Sequence, residues 1–135
     1  MKAFETTIRV RYAETDAMGV VHHSHYFVWL EWARVEWLKA LHVDYKTMEK
    51  NGFFLPVIQA DLTYKASLFF DDLVRIVLTP PNDYQRVRLT LRYELFRDDT
   101  LVTKGFTVHA FINAQRQLIK PPTFFIEALA KNTEN

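Results

Sequence analysis

The 135-residue chain has the length of one ordinary domain, and its 49% hydrophobic and 24% charged residues are typical of a protein that folds around one core. Its 17 basic and 16 acidic residues give a net charge of +1, which argues against a nucleic-acid or anionic-membrane surface. Cysteine is absent, which excludes disulfides, thiolate nucleophiles and cysteine metal sites.

The first predicted element is a strand over residues 4–12, because apolar or small side chains recur there at every second position. These are Phe4, Thr6, Ile8, Val10 and Tyr12. A polar turn that contains a glycine follows at residues 13–19 and includes Asp16. Ser24 is expected to be the N-cap of the next helix.

A long helix is predicted from about Tyr26 to Leu41, and it is unusually apolar. One stripe at spacings of three and four consists of Tyr26, Leu30, Ala33, Trp37 and Leu41. Much of the remaining circumference is filled by Phe27, Val28, Trp29, Trp32, Val35 and Leu38. A helix that is apolar nearly all round is expected to be buried. In so short a chain, a sheet that wraps around the helix is the expected cover.

The rest of the chain reads as a short helix, four strands and a tail helix. The short helix covers residues 44–51 and is ended by Gly52. The strands are predicted at 57–64, 73–78, 86–95 and 101–113, with a hairpin between the last two, and the tail helix lies near 123–131. We expect one face of the third strand to point inward, namely Val87, Leu89, Leu91, Tyr93 and Leu95, and in the fourth Val102, Phe106, Val108, Ala110 and Ile112. The predicted fold is α+β, with a five-stranded antiparallel sheet wrapped around one long buried helix.

Asp16 is the best candidate for a chemically active side chain. It lies in a turn between a strand and a helix that begins near His23 or Ser24. The first turn of a helix has unpaired N–H groups and the positive end of the helix dipole. These groups could polarise a thioester carbonyl while the carboxylate attacks it or activates water. From spacing alone, a turn-capping role for Asp16 is equally compatible.

The segment from Arg11 to Tyr26, RYAETDAMGVVHHSHY, resembles the signature of the 4-hydroxybenzoyl-CoA thioesterase family. More narrowly, it looks like the branch associated with the Tol–Pal system and short acyl-CoA hydrolysis. The shared pattern is T-D-x-x-G-V-V, a helix-starting histidine and a tyrosine three residues later, here Thr15, Asp16, Gly19, Val20, Val21, His23 and Tyr26. Further matches span nearly the whole chain, at Glu31 to Leu38, Leu55–Val57, Tyr64 and Phe70–Leu73.

This resemblance implies one hot-dog thioesterase domain over residues 1–135 that hydrolyses an acyl-CoA without metal or bound cofactor. Asp16 matches the catalytic aspartate, as nucleophile or general base, and His23 matches the residue whose N–H holds the thioester carbonyl. Substrate-binding positions are Gly19, Val20 and Tyr26. The resemblance also implies a homo-oligomer, dimer or tetramer, with sites at the subunit boundary. His22 departs from the tyrosine usual in this branch, and His25 is a second departure.

Other groups of residues have more ordinary interpretations. A metal site made of Asp16, His22, His23 and His25 is not expected, because these ligands do not converge as an i, i+4 pair would. A phosphate site for CoA is one reading of Lys65, Arg86, Arg88 and Arg92, although a solvated strand face is favoured. Glu31 and Arg34 are expected to form an internal ion pair. Core packing is the favoured role of Trp29, Trp32 and Trp37, and His42 and His109 are expected to be bystanders.

The leading hypothesis is therefore an acyl-CoA thioesterase. The alternative from another class is a non-catalytic module on the same fold that binds acyl-CoA or acyl carrier protein, and a hydratase or dehydratase ranks last. The acyl group, and whether CoA or a carrier protein bears it, stay open. The first residues lack the apolar run of a signal peptide and no stretch approaches the ~18 apolar residues of a membrane span, so we expect a cytoplasmic location.

Overall fold

An antiparallel sheet curls around one long helix in the structure, a computed structural model that describes residues 2–133. Of the expected domain over 1–135, Met1, Glu134 and Asn135 lie outside the described residues. The elements in chain order are β1 (Phe4–Arg9), a 3-10 turn (Tyr12–Glu14), α1 (Ser24–Ala40), α2 (Tyr45–Lys50), β2 (Val57–Tyr64), β3 (Leu73–Thr79), β4 (Arg88–Arg97), β5 (Thr100–Ile112), β6 (Leu118–Ile119) and α3 (Thr123–Thr133).

The five long strands lie in the order β1-β3-β4-β5-β2, and each described pair is antiparallel. This arrangement confirms the predicted α+β plan of a sheet around a helix. The two-residue strand β6, which pairs with the end of β5, was not predicted. The predicted hairpin between β4 and β5 is present, and Asp98 in its turn has a φ of 54°. The second helix is also confirmed, with Asp44 as its N-cap.

The face of α1 that points to the sheet is buried as predicted. Tyr26, Leu30, Ala33, Trp37 and Leu41 all belong to the core, together with Trp29 and Leu38. The expectation of burial all round is wrong, however, because Phe27, Val28 and Trp32 are exposed, Val28 by 55% and Trp32 by 44%. The sheet covers one side of the helix, which leaves an apolar surface on the other side.

The inward face of β5 is a second correction. Residues directly opposite each other on neighbouring strands share a face, and the core residues Leu89 and Leu91 pair with His109 and Thr107. The expected inward residues Phe106, Val108, Ala110 and Ile112 therefore lie on the opposite face, although Val108 and Ala110 are still buried. The cause is a bulge opposite the Leu95–Phe96 step, at Val102, which is itself in the core as predicted. An extra residue in one strand reverses the alternation beyond it.

A buried polar chain results from this change of face. Tyr93 Oη lies 2.7 Å from Thr107 Oγ1, which lies 2.8 Å from His109 Nε2. His109 is 1% exposed, so it is fully buried rather than a partly buried bystander. Burial, together with the positive charge of Arg34, lowers the pKa of His109 to about 4. The imidazole is therefore neutral at pH 7.

The N-terminal boundaries differ from the prediction at two points. The strand β1 ends at Arg9 instead of residue 12, and Tyr12 is exposed at the start of the 3-10 turn. Ser24 is the first helical residue of α1 instead of its N-cap, which is His23. Among the described helices, none has the length and apolar character that a membrane crossing requires.

Candidate active site

Asp16 begins a tight turn that joins β1 and the 3-10 turn to helix α1. The turn is closed by a β-bridge between Thr15 and Val21 and by the Asp16 amide, which donates to Val20 O at 2.8 Å. Gly19 donates to Asp16 O at 2.9 Å and has a φ of +81°. Since side chains other than glycine rarely adopt that conformation, Gly19 is what allows the chain to reverse here.

The two carboxylate oxygens of Asp16 have different surroundings. Oδ1 accepts hydrogen bonds from the amides of Met18, at 2.8 Å, and Val20, at 3.4 Å. Within the described residues Oδ2 accepts no hydrogen bond. Asp16 therefore caps the turn with Oδ1, and these hydrogen bonds fix the orientation of the carboxylate, including Oδ2. Asp16 is partly exposed and lines a cavity.

The start of α1 borders the same cavity, which His22 and His23 line. His25 donates to His22 O at 3.1 Å, and Tyr26 donates to His23 O at 3.4 Å. The Ser24 amide donates to His22 Nδ1 at 3.2 Å. Of the first four N–H groups, counted from the N-cap, the one on His23 has no hydrogen-bond partner in the described part of the chain. His22 thus caps this helix through its imidazole, a role that the sequence left open.

The cavity has a volume of about 320 Å³ and lies between the start of α1 and the end of β2. It is lined by Asp16, Val21, His22, His23, Tyr26, Tyr64, Lys65, Ala66 and Ser67. The rings of Tyr26 and Tyr64 meet edge to face at 4.9 Å between centroids, and the Tyr64 hydroxyl donates to His23 O at 3.3 Å. Burial raises the pKa of both tyrosines, for Tyr26 with the help of the neighbouring Tyr64, so both are neutral hydroxyls at pH 7.

The structure brings together three of the five predicted site residues, Asp16, His23 and Tyr26. Gly19 and Val20 shape the Asp16 turn but do not line the cavity, and Val20 instead bridges to Phe69. The residues that the site prediction did not include come mainly from Tyr64 to Ser67. No local pattern could have placed this segment beside α1, because their proximity depends on the strand order of the sheet.

The four cations for which a CoA phosphate site was the less favoured reading are divided between two places. Lys65 lines the Asp16 cavity, whereas Arg86, Arg88 and Arg92 line a separate groove of about 400 Å³. Arg88 and Arg92 are on the sheet face opposite to the core residues Leu89 and Leu91. Arg86 is paired with Asp83 at 3.0 Å. The four cations therefore do not form one site within this chain.

Two other expectations concern charged or ring side chains of α1. The predicted Glu31–Arg34 ion pair is wrong, since no such contact occurs among the described residues, and Arg34 instead donates to Tyr93 Oη at 3.3 Å. Trp29 and Trp37 pack in the core as predicted, but Trp32 does not. Within residues 2–133, no three histidine or acidic side chains are grouped so as to hold a metal ion.

Comparison with known proteins gives a consistent result over most of the chain. Residues 10–129 match the model of the thioesterase-like superfamily. The YneP protein of Bacillus subtilis is 36% identical over 92% of this chain and 88% of its own length, and the acyl-CoA thioesterase YbgC of Haemophilus influenzae is 28% identical over 90% and 88%. The solved structure of a DHNA-CoA thioesterase from Staphylococcus aureus is 33% identical, superposes with a TM-score of 0.90 and covers 99% of this chain and 93% of that one. The predicted hot-dog fold is confirmed.

Proposed function

The chain belongs to the thioesterase-like superfamily and is a thioester hydrolase, and we propose that it hydrolyses an acyl-CoA to the free acid and CoA with Asp16 as catalytic carboxylate. One observation carries this proposal: Asp16 lines the same cavity as His23 at the start of α1, and within residues 2–133 neither Asp16 Oδ2 nor the His23 amide has a hydrogen-bond partner. Binding alone does not need a carboxylate beside a thioester. For this reason we prefer the enzyme to a non-catalytic acyl-CoA or carrier-protein binding module.

In the proposed reaction, the thioester carbonyl oxygen accepts a hydrogen bond from the His23 amide. This bond, with the positive end of the α1 dipole, stabilises the negative charge that develops on the oxygen. Asp16 Oδ2 either attacks the carbonyl carbon or removes a proton from a water that does so. The C–S bond then breaks and CoA leaves as the thiolate. In the first route, water hydrolyses the acyl–aspartyl anhydride.

Substrate binding is proposed for the residues around these two groups. Tyr26 and Tyr64 form an aromatic part of the cavity lining, to which Asp16 also belongs. Gly19 and Val20 are proposed to assist substrate binding through the turn that holds Asp16. Lys65 lines this cavity and is proposed to contact the phosphates of CoA. The segment from Arg11 to Tyr26 supports placement in the 4-hydroxybenzoyl-CoA family and its Tol–Pal-associated branch. Acyl carrier protein is the alternative acyl donor.

We also propose that the chain acts as one domain in a homo-oligomer, a dimer or tetramer, in the cytoplasm, where acyl-CoA is found. The strand β2 is at the edge of the sheet and is exposed along most of its length. Apolar side chains are exposed both on this strand and on α1, which supports the proposal that a second copy covers this surface. They are Val57 and Ile58 on β2, and Phe27, Val28 and Trp32 on α1.

The test of the proposed function is thiol release from a panel of short, long and aromatic acyl-CoAs, with ligand binding measured in parallel. We expect turnover of at least one class, and the panel ranks the substrates. Binding of acyl-CoA without thiol release would favour the binding module. A single turnover in H2(18)O would then test the nucleophilic route, since label in the Asp16 carboxylate requires an acyl–aspartyl anhydride that water attacks at the aspartyl carbon. Label only in the product acid fits both the general base and attack on the acyl carbon of the anhydride, and rapid-quench mass spectrometry for an acylated Asp16 separates these two.

A further inference from the structure

Glu14 is a buried carboxylate two residues before Asp16. Its exposure is 2%, and each of its oxygens accepts a hydrogen bond at 2.8 Å. The donor to Oε1 is the Arg11 amide, and the donor to Oε2 is the indole N–H of Trp29. The Arg11 guanidinium lies 3.6 Å from Oε2. A buried charge with this many partners is a built feature of the fold, because an unpaired one would be costly.

The hydrogen bonds keep Glu14 ionised in spite of its burial. Burial by itself raises the pKa of the carboxyl, but the hydrogen bonds from the Arg11 amide and the Trp29 indole, with the charge of Arg11, outweigh burial and lower it. The carboxylate form accepts at both oxygens, which the two N–H donors require. A neutral amide of the same shape cannot do this, since it has a single acceptor oxygen.

The partners of Glu14 belong to the two elements whose separation matters for catalysis. Its carbonyl oxygen accepts from the His22 amide at 3.0 Å, directly before the helix start, and its side chain reaches Trp29 in the second turn of α1. Trp29 is fully buried and its ring is 5.0 Å from that of Tyr26, which lines the Asp16 cavity. Glu14 thus connects the turn that contains Asp16 to the start of α1, where the His23 amide lies.

We propose that Glu14 is a positioning residue for thioester hydrolysis: through the Trp29 indole and the His22 amide it sets the distance between the Asp16 carboxylate and the start of α1. This inference rests on the proposed catalytic role of Asp16. Capping of the 3-10 turn through Arg11 explains one oxygen of Glu14. It does not explain the bond to an indole fifteen residues away, which joins two separate elements.

The test compares Glu14→Gln with the wild type for kcat and KM of acyl-CoA hydrolysis, well below the melting temperature of either. The amide must point an N–H group at either the Arg11 amide or the Trp29 indole, so it shifts the turn. A displacement of about 1 Å in a catalytic group can cost up to about a hundredfold in rate. We expect kcat to fall about tenfold or more, with KM changed less than about threefold.

Two controls separate positioning from general stability. Tyr93→Phe removes a buried hydroxyl that hydrogen-bonds Thr107, and neither residue lines the cavity, so the change should lower Tm while leaving kcat within about twofold. In an Asp16→Asn background, adding Glu14→Gln should lower kcat by less than about threefold, because a residue that acts through Asp16 has little further effect once the Asp16 carboxylate is gone. If Glu14→Gln does not fold, Trp29→Phe decides, since it removes the indole donor and keeps a large ring.

The inference is overturned if Glu14→Gln, or Trp29→Phe in its place, keeps the wild-type kcat. It is also overturned if Glu14→Gln lowers kcat by the same factor in the Asp16→Asn background as in the wild type. The same holds if Tyr93→Phe, with a Tm equal to that of Glu14→Gln, loses as much kcat. Failure of the proposed function gives a different result. In that case Asp16→Asn itself keeps wild-type turnover, whatever Glu14→Gln does.

Discussion

Acid destabilisation through His109 is a prediction whose size follows from the structure. The imidazole is 1% exposed and its pKa is lowered to about 4, from an ordinary value of 6.5. Because the folded pKa is below the unfolded one, the unfolded state binds more protons between pH 6.5 and 4. The free energy of unfolding therefore falls as pH drops below 6.5, and the loss is complete below pH 4.

This loss is about 2.5 kcal/mol between pH 7.5 and 4.5, worked from a pKa lowered from 6.5 to about 4 and ~1.36 kcal/mol for each pH unit. It is smaller than the full loss because the folded protein is not yet completely protonated at pH 4.5. Other groups also titrate in this range, so the control is His109→Gln, which stays neutral and can still reach Thr107. Urea denaturation of both proteins at the two pH values isolates the contribution of His109. We expect the wild type to lose about 2.5 kcal/mol more than the variant.

Parallel losses of stability in the two proteins would refute this reasoning. Such a result would mean that His109 is protonated equally easily in the folded and unfolded states. Burial beside Thr107 and Tyr93 would then not exclude its charged form. The starting stability of His109→Gln does not affect the conclusion, because the comparison concerns the change with pH in each protein.

Two further predictions concern the cavity and the apolar surface. In initial-rate measurements, Lys65→Gln should raise KM for acyl-CoA by roughly three- to tenfold with kcat within about twofold, because Lys65 lines the cavity and a cation there attracts the phosphates of CoA. The matched control is Arg88→Gln in the separate groove, and equal effects of the two substitutions would contradict the assignment. Trp32→Glu should reduce the mass of the oligomer measured by light scattering, because it places a charge on the exposed apolar side of α1. Lys46→Glu on the exposed face of α2 should leave the mass unchanged, and a monomeric wild type would contradict the proposed oligomer.

The sequence predicts the elements of this fold well and their surroundings less well. Alternation in β1 and β4 and the stripe on α1 identify the core side, because one face of each element packs on one core. The reversed face of β5 was missed because a bulge leaves no mark in the apolar pattern of Val102 to Ile112. The exposure of Val28 and Trp32 was missed for a different reason, since an apolar helix face is the same in sequence whether the sheet or a second chain covers it.

The candidate site shows the same division. Asp16, His23 and Tyr26 are close in sequence, so a local motif is enough to bring them together. Tyr64 and Lys65 reach the cavity through the pairing of β2 with β5, which is a property of the whole sheet. The sequence did not predict a role for Glu14, because an acidic residue in a polar turn is ordinarily solvated. Its partner Trp29 is fifteen positions away and gives no local signal.

The measurement that tests the central claim most directly is kcat/KM of Asp16→Asn against the wild type, on whichever acyl-CoA the wild type hydrolyses best. The substitution keeps the shape of the side chain and removes its charge, and Asp99→Asn in the exposed β4–β5 turn is the matched control. We predict a fall of about a hundredfold or more for Asp16→Asn, the scale of a lost general base, and no change for Asp99→Asn. Turnover by Asp16→Asn at the wild-type rate would contradict the assignment of Asp16 as the catalytic carboxylate.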